Sequence, residues 1–201
     1  MLTIGITGGT GCGKTAFLRC IEARGGVGID CDALYYDLLR TDGALRTALT
    51  ESFGAVFLPD GSLDRKRLGA AVFSDRKQLK TLDRIVFTHV RRAVESIRER
   101  EKNAGTELLA IDAINLFQSG LADICDATVG VLAPEEVRLR RIMKRDGIER
   151  QYALLRIHAQ EPDNFYTAHC THILQNGEIS PEEFQIQANE LLEILIKENG
   201  T

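Results

Sequence analysis

The stretch Gly8-Gly9-Thr10-Gly11-Cys12-Gly13-Lys14-Thr15 decides how this chain folds. It follows a short apolar run rich in β-branched residues, Leu2–Thr7, which reads as a buried strand. From Lys14 onward Ala16, Phe17, Cys20 and Ile21 recur at helical spacing, until Gly25-Gly26 stops the helix. A strand, a glycine loop and a helix in this order meet the context required of a GxxxxGK[ST] phosphate-binding loop. Glycines admit positive φ and remove the Cβ atoms that would keep backbone N–H groups from phosphate oxygens. The helix N-terminus points its positive dipole end at the same anion. The pattern assigns ATP binding to Gly8, Gly9, Thr10, Gly11, Cys12, Gly13, Lys14, Thr15 and Ala16. Lys14 is expected on the β- and γ-phosphates and the Thr15 hydroxyl on Mg²⁺.

Working outward, Val27–Asp30 is a second short strand, which completes a βαβ unit. Ala33–Leu39 and Ala44–Phe53 are amphipathic, and Leu58-Pro59-Asp60-Gly61-Ser62 is a turn. A longer helix carries Leu79, Leu82, Ile85, Val86, Val90, Val94 and Ile97 on one face. Leu108–Ile111 and Ala127–Leu132 read as buried parallel strands, with a last strand at His172–Leu174 before a C-terminal helix. Between Pro134 and Gln160 the chain is helical and basic. Strands separated by helices predict an α/β fold in three layers, a parallel sheet flanked by helices.

The 201 residues carry 25 Lys and Arg against 29 Asp and Glu, a net charge of −4, which disfavours a protein that coats nucleic acid. At 44% hydrophobic and 27% charged, the composition is that of an ordered globular chain. Five scattered cysteines without a CxxC pair suggest neither a disulfide framework nor a zinc ribbon. The opening MLTIGITGG lacks a signal-peptide pattern, and no run approaches a membrane span. The expectation is a cytoplasmic protein, monomeric or weakly self-associating, that acts on small molecules rather than on nucleic acid or membranes.

Asp30 and Asp32 fall at the end of the second strand, where extended backbone would turn both carboxylates into one cleft. One could accept a hydroxyl proton or hold Mg²⁺ through water; the competing reading is a helix cap at Asp32. Asp112 ends the third apolar run, as a Mg²⁺-supporting acid or as a turn residue. Arg138, Arg141 and Arg145 share one helix face, either a solvated surface or a lid of guanidinium groups for a transferring phosphoryl group. His169, Cys170 and His172 fit no common zinc spacing. Cys12, at a helix N-terminus, is expected to have a lowered thiol pKa and to be sensitive to oxidation.

These residues resemble the dephospho-coenzyme A kinase family. Ile6 through Thr15 is similar to its TGGIGSGKS segment, and Ile29-Asp30-Cys31-Asp32 to its DAD motif. Phe53-Gly54, Asp60 through Arg65, Leu68 and Val72-Phe73 resemble FG…DGxLDRxxLxxxVF, and Asp112 through Leu121 lines up with DxPLLFExGL. Ala133 through Glu136, and Arg141 through Gly147, are similar to APEE…RLxxRDG. Arg156 and Gln160 match RxxxQ, and Asn176 the asparagine after the last strand. The chain differs at Phe87-Thr88 for His-Pro, Gln118 for glutamate, Tyr166 for lysine, Cys170-Thr171 for Ala-Asp, and Thr15 for serine.

The resemblance implies a P-loop kinase fold in a single domain over 1–201. Its core would be about 1–31, 105–137 and 160–201, with a helical acceptor-binding insertion at about 32–104 and a lid at about 138–159. It implies Mg²⁺-ATP phosphorylation of the ribose 3′-hydroxyl of dephospho-coenzyme A, the last step of coenzyme A biosynthesis. Asp32, Lys14, Arg141 and Arg145 would be catalytic. Asn176 would join the ATP site. Asp30, Asp32, Arg65, Phe87, Arg91 and Asp112 would bind the acceptor, and Mg²⁺ would sit on Thr15 with Asp32 or Asp112 through water. Two alternatives remain: a kinase of this fold for another nucleoside or small alcohol, and a nucleotide-binding paralogue with weakened catalysis.

Overall fold

A computed structural model describes residues 1–72 and 75–199. Phe73, part of the VF pair noted above, lies outside the described residues. Five parallel strands form one sheet: β1 (Leu2–Thr7), β2 (Val27–Asp30), β3 (Leu108–Asp112), β4 (Ala127–Leu132) and β5 (His172–Gln175), in the order β2-β3-β1-β4-β5. β1, β3 and β4 are buried along their length except at Leu2, which is why they read as continuous apolar runs.

Helices cover both faces. On one, α1 (Lys14–Ala23) and the C-terminal helix, α9 by chain order (Pro181–Asn199), place Phe17, Ile21, Phe184 and Leu192 against Ile4, Ile6, Val129 and Val131. On the other, α2 (Cys31–Thr41) and α5 (Arg76–Asn103) set Cys31, Val90 and Val94 against Leu109 and Ile111. Between α2 and α5, α3 (Gly43–Phe53) and α4 (Arg65–Val72) close a separate apolar cluster around Leu39, Leu45, Leu49 and Leu68. After β4, α6 (Glu135–Asp146) and α7 (Arg150–His158) bury Leu139 and Ile142 against Ala153 and Ile157.

Two details correct the sequence reading. The basic segment is not continuous helix: Gly147, at φ 65°, ends α6 in the left-handed conformation, and α7 begins afresh at Arg150. The Asp163–His169 stretch, to which the sequence reading assigns no element, forms a further helix, α8. Among the described residues no helix is long and apolar enough to cross a membrane.

Candidate active site

Parallel β-strands present ligands at their carboxyl ends, and the register brings Asp30, Asp112 and Ile6 level there. The glycine loop leaves β1 one residue later. Gly13 shows why its glycines are required: φ is 101°, and a Cβ there would collide with the Asn176 side-chain amide. That amide, buried, donates to the Cys12 carbonyl at 2.8 Å. Asn176 therefore braces the loop from below rather than lining the phosphate pocket.

Arg138 is a second brace. It is 5% exposed; its Nε donates to the Thr10 carbonyl at 3.0 Å and a terminal nitrogen donates to Gln160 Oε1 at 3.1 Å. The same Gln160 oxygen accepts from Thr10 N at 2.8 Å. The shared face predicted for Arg138, Arg141 and Arg145 thus lies on the loop, graded from buried at Arg138 to exposed at Arg145. Arg141 donates to the carbonyls of Gly11 (3.3 Å) and Asn176 (3.1 Å) and to Asn176 Oδ1 (3.0 Å). Arg145 and Arg156 converge on Asp146, at 2.6 Å each, and hold its carboxyl at about 2, the Arg145 hydrogen bond contributing most.

Above the loop opens a polar pocket of about 530 Å³. Thr10, Gly11, Gly13, Lys14, Thr15 and Ala16 form its floor, Asp30, Asp32 and Asp112 one wall, and Arg141, Arg145, Arg156 and Gln160 the other. Lys14 Nζ is held at 3.0 Å from the Gly8 carbonyl. A second, more apolar pocket of about 260 Å³ lies between α2, α5 and the segment after β3. Tyr35, Val86, Phe87, Val90 and Leu121 supply its apolar wall, and Asp83, Asn115 and Ser119 its polar points. Asp32 and Ile114 line both pockets.

The two carboxylates of the DAD stretch divide their work differently from the extended-strand reading. Asp30, not Asp32, is the helix cap: its Oδ1 accepts from Asp32 N at 2.9 Å and Ala33 N at 3.0 Å. The helix therefore starts at once, and Asp32 sits in its first turn with its carboxylate left for the pocket seam. Asp32 is raised above the ordinary carboxylate value, by protein crowding first and then by Asp30, with Lys14 opposing. Asp112, 8% exposed, is pushed up to about 6, mainly by burial, with Lys14 opposing and Asp30 and Asp32 adding to the rise.

Cys12 departs from expectation. Its side chain is fully buried in the core beneath the loop, and burial raises the thiol pKa, outweighing Arg138 and Lys14. Helix-dipole activation does not apply to a thiol turned away from the helix N-terminus, and the predicted oxidation sensitivity falls with it. All five cysteines are free.

The proposed acceptor residues are not all gathered together. Phe87 lines the apolar pocket. Arg91 is occupied, donating to the Gly120 carbonyl at 2.8 Å and to Glu95 at 2.9 Å. Arg65 lies over the Tyr36 ring, 4.9 Å from its centroid, and lines neither pocket. Sequence reasoning left Arg156 and Gln160 out of the site; their four-residue spacing, shared with the RxxxQ pattern, was the available signal. Tyr35, Val86, Asn115 and Ser119 carried none, because three separate segments bring them together. Away from the seam, Gln118 donates to Glu161 at 3.2 Å, and Thr171 exchanges hydrogen bonds with Thr128 at 2.8–3.0 Å. Among the described residues no group of three or more His, Cys, Asp or Glu side chains forms a metal cage. The oxygens of Thr15, Asp32 and Asp112 suit an ion that takes few protein ligands beside phosphate and water.

A parallel sheet, a phosphate loop and an arginine-rich wall facing a second pocket define a P-loop phosphotransferase. The family described as dephospho-CoA kinase matches residues 2–181. A curated dephospho-CoA kinase of Anaeromyxobacter dehalogenans is 36% identical over 193 residues, covering 96% of this chain and 91% of the relative. A crystal structure of TT1252 from Thermus thermophilus superposes with a TM-score of 0.82 at 30% identity, covering 96% of each chain. A dephospho-CoA kinase of Campylobacter jejuni shares the fold, with a TM-score of 0.70 at 20% identity over 98% of each chain. The chain belongs to the dephospho-CoA kinase family.

Proposed function

We propose that this chain transfers the γ-phosphoryl group of ATP to the ribose 3′-hydroxyl of dephospho-coenzyme A, giving coenzyme A and ADP. The observation that carries the reading is the seam: Asp32 borders both the phosphate pocket and the apolar pocket. An acceptor hydroxyl at that carboxylate faces a phosphate held over Lys14. Its raised pKa makes Asp32 a stronger base for orienting that hydroxyl or taking its proton. The loop N–H groups and Lys14 hold the β- and γ-phosphates, and Arg141 and Arg145 stabilise charge on the group in transit. Mg²⁺, when bound by the Thr15 hydroxyl with Asp32 or Asp112 through water, supplies charge neutralisation between the phosphates. Residues 32–104 would receive the acceptor, and 138–159 would close over the nucleotide. Free cysteines favour a reducing, cytoplasmic setting.

The test is ADP release by the purified protein with dephospho-coenzyme A against a panel of nucleosides and small alcohols. Stimulation by dephospho-coenzyme A is expected, and its absence overturns the reading. One observation favours a second reading, a kinase of this fold for another nucleoside: Phe87 lines the acceptor pocket where the family pattern has histidine. The same panel separates the two.

A further inference from the structure

Arg141, Arg145 and Arg156 reach the phosphate pocket from different supports. Arg141 is anchored on the loop itself, through the Gly11 and Asn176 carbonyls. Arg145 and Arg156 belong to different helices and meet on one side chain, Asp146. Arg145 engages both carboxylate oxygens, Nε on Oδ1 at 2.6 Å and Nη2 on Oδ2 at 3.0 Å. Arg156 places Nη1 on the same Oδ2 at 2.6 Å. Nη1 of Arg145, and Nε and Nη2 of Arg156, stay outside this pairing. The pocket lining includes both arginines and not Asp146. The Asp146 side chain is 22% exposed, against 58% for Arg145 and 41% for Arg156, so the carboxylate stands behind the guanidinium groups. Its charge also lets two like-charged groups share one wall.

Asp146 is the last residue of α6, and its bond to Arg156 crosses the Gly147 turn into α7. The two helices are joined without it. Arg150 donates to Glu136 at 2.6 Å, His158 meets Glu135 at 2.9 Å, and Leu139 and Ile142 pack on Ala153 and Ile157. What Asp146 adds is the direction in which the two guanidinium groups point.

We propose that Asp146 is a positioning residue for phosphoryl transfer, holding Arg145 and Arg156 as one preoriented pair whose remaining N–H donors meet the γ-phosphoryl group of ATP. This deepens the proposed function and rests on its reading of the phosphate pocket. Asp146 touches no reacting atom and acts through the two arginines. A planar guanidinium gripped along one edge keeps its other donors in fixed directions, and donors fixed in advance need no reorganisation when charge develops. Plain electrostatics gives the opposite sign. Removing a negative charge beside an anion site tightens anion binding, for ATP more than for ADP. A positioning role requires that the preference for ATP over ADP fall instead.

The experiment titrates wild type, Asp146→Asn, Asp146→Glu and Glu136→Gln with ATP and with ADP, and measures kcat with dephospho-coenzyme A. Melting curves check that the variants fold. Asp146→Asn should lower the ratio of ATP to ADP affinity about tenfold and kcat about 10²-fold. Asp146→Glu keeps the charge but moves the pair by one methylene, and an intermediate fall in both is expected. Glu136→Gln removes another bridge of the same helix pair, away from the pocket, and should leave both at wild-type values. In an Arg145→Ala/Arg156→Ala background, Asp146→Asn should lower the ratio no further. An unchanged or increased ratio in Asp146→Asn overturns the proposal, as does a wild type without preference for ATP. Equal loss of both nucleotides marks Asp146 as a mere brace and also overturns it. If wild type does not phosphorylate dephospho-coenzyme A, the acceptor assignment falls by itself, and the affinity ratios still decide the role of Asp146.

Discussion

The phosphate pocket and the acceptor pocket share Asp32 yet are built on opposite principles. The first is made from one contiguous loop and its braces. Its floor runs from Thr10 to Ala16, and Asn176 and Arg138 hold the loop carbonyls from beneath. The second is made from α2, the middle of α5 and the segment after β3, and its wall draws a few residues from each rather than one continuous loop. Binding phosphate requires backbone geometry, which few sequences satisfy. Binding the body of an acceptor requires only shape and apolar surface, which many side chains supply. One half of the site is therefore fixed by chemistry, and the other is open to change, as Phe87 in place of histidine illustrates.

The sharpest way to break this contrast is on the donor side. Arg141→Ala should lower kcat by about 10³–10⁵-fold, near the effect of Lys14→Ala. Steady-state kinetics at saturating acceptor measures it. A wild-type kcat would reduce Arg141 to a brace for Asn176 and the loop, a role its hydrogen bonds also permit. At the seam, Asp32→Asn should cost about 10²–10⁴-fold in kcat while nucleotide affinity, followed by titration, is kept. An equal loss of ATP affinity would move Asp32 to the donor side, as a metal or structural residue.

Much of the first pocket was legible in the sequence because its residues lie close together. The GxxxxGK[ST] spacing, the preceding strand and the following helix all act within about twenty residues of one another. Local rules failed where a side chain's partner was distant. Arg138 read as part of an arginine lid or of a solvated stripe, but its carbonyl acceptor is on Thr10, 128 residues away. Cys12 looked activated by its helix, yet the packing of α1 and α9 on the sheet turned its thiol into the core. The Asp30–Asp32 pair was misplaced by two residues of helix start, Cys31 instead of Ala33, which converts two parallel carboxylates into one cap and one free acid. Most of the acceptor wall was illegible for the same reason on a larger scale: Phe87 was named through the family resemblance, but Tyr35 and Asn115 meet it only after the insertion folds onto the sheet.

Asp112 sharpens the contrast through stability. Its pKa rises from 3.8 to about 6 on folding, so between these values the folded chain holds a proton that the unfolded chain has released. Stability contributed by this group is then present below pH 4 and is lost as pH rises towards 6. Two units correspond to about 3 kcal/mol. Asp112→Asn should raise the melting temperature of the ligand-free protein at pH 8, flatten its dependence between pH 4 and 6, and weaken turnover. An unchanged pH dependence would show that Asp112 is stabilised as an anion, by Lys14 or otherwise.

The smallest effect belongs to the acceptor pocket. Phe87 is half-buried and meets the site through apolar contact alone, so Phe87→His should change acceptor KM by less than about tenfold and leave the KM for ATP untouched. Apolar pockets discriminate weakly, and at this half-buried position the added imidazole nitrogens can keep water as a partner. Competition between dephospho-coenzyme A and other nucleosides measures whether preference shifts. A switch of preferred acceptor would mean that this position selects the substrate. The acceptor half would then be as tightly specified as the phosphate loop, and the contrast between the two pockets would collapse.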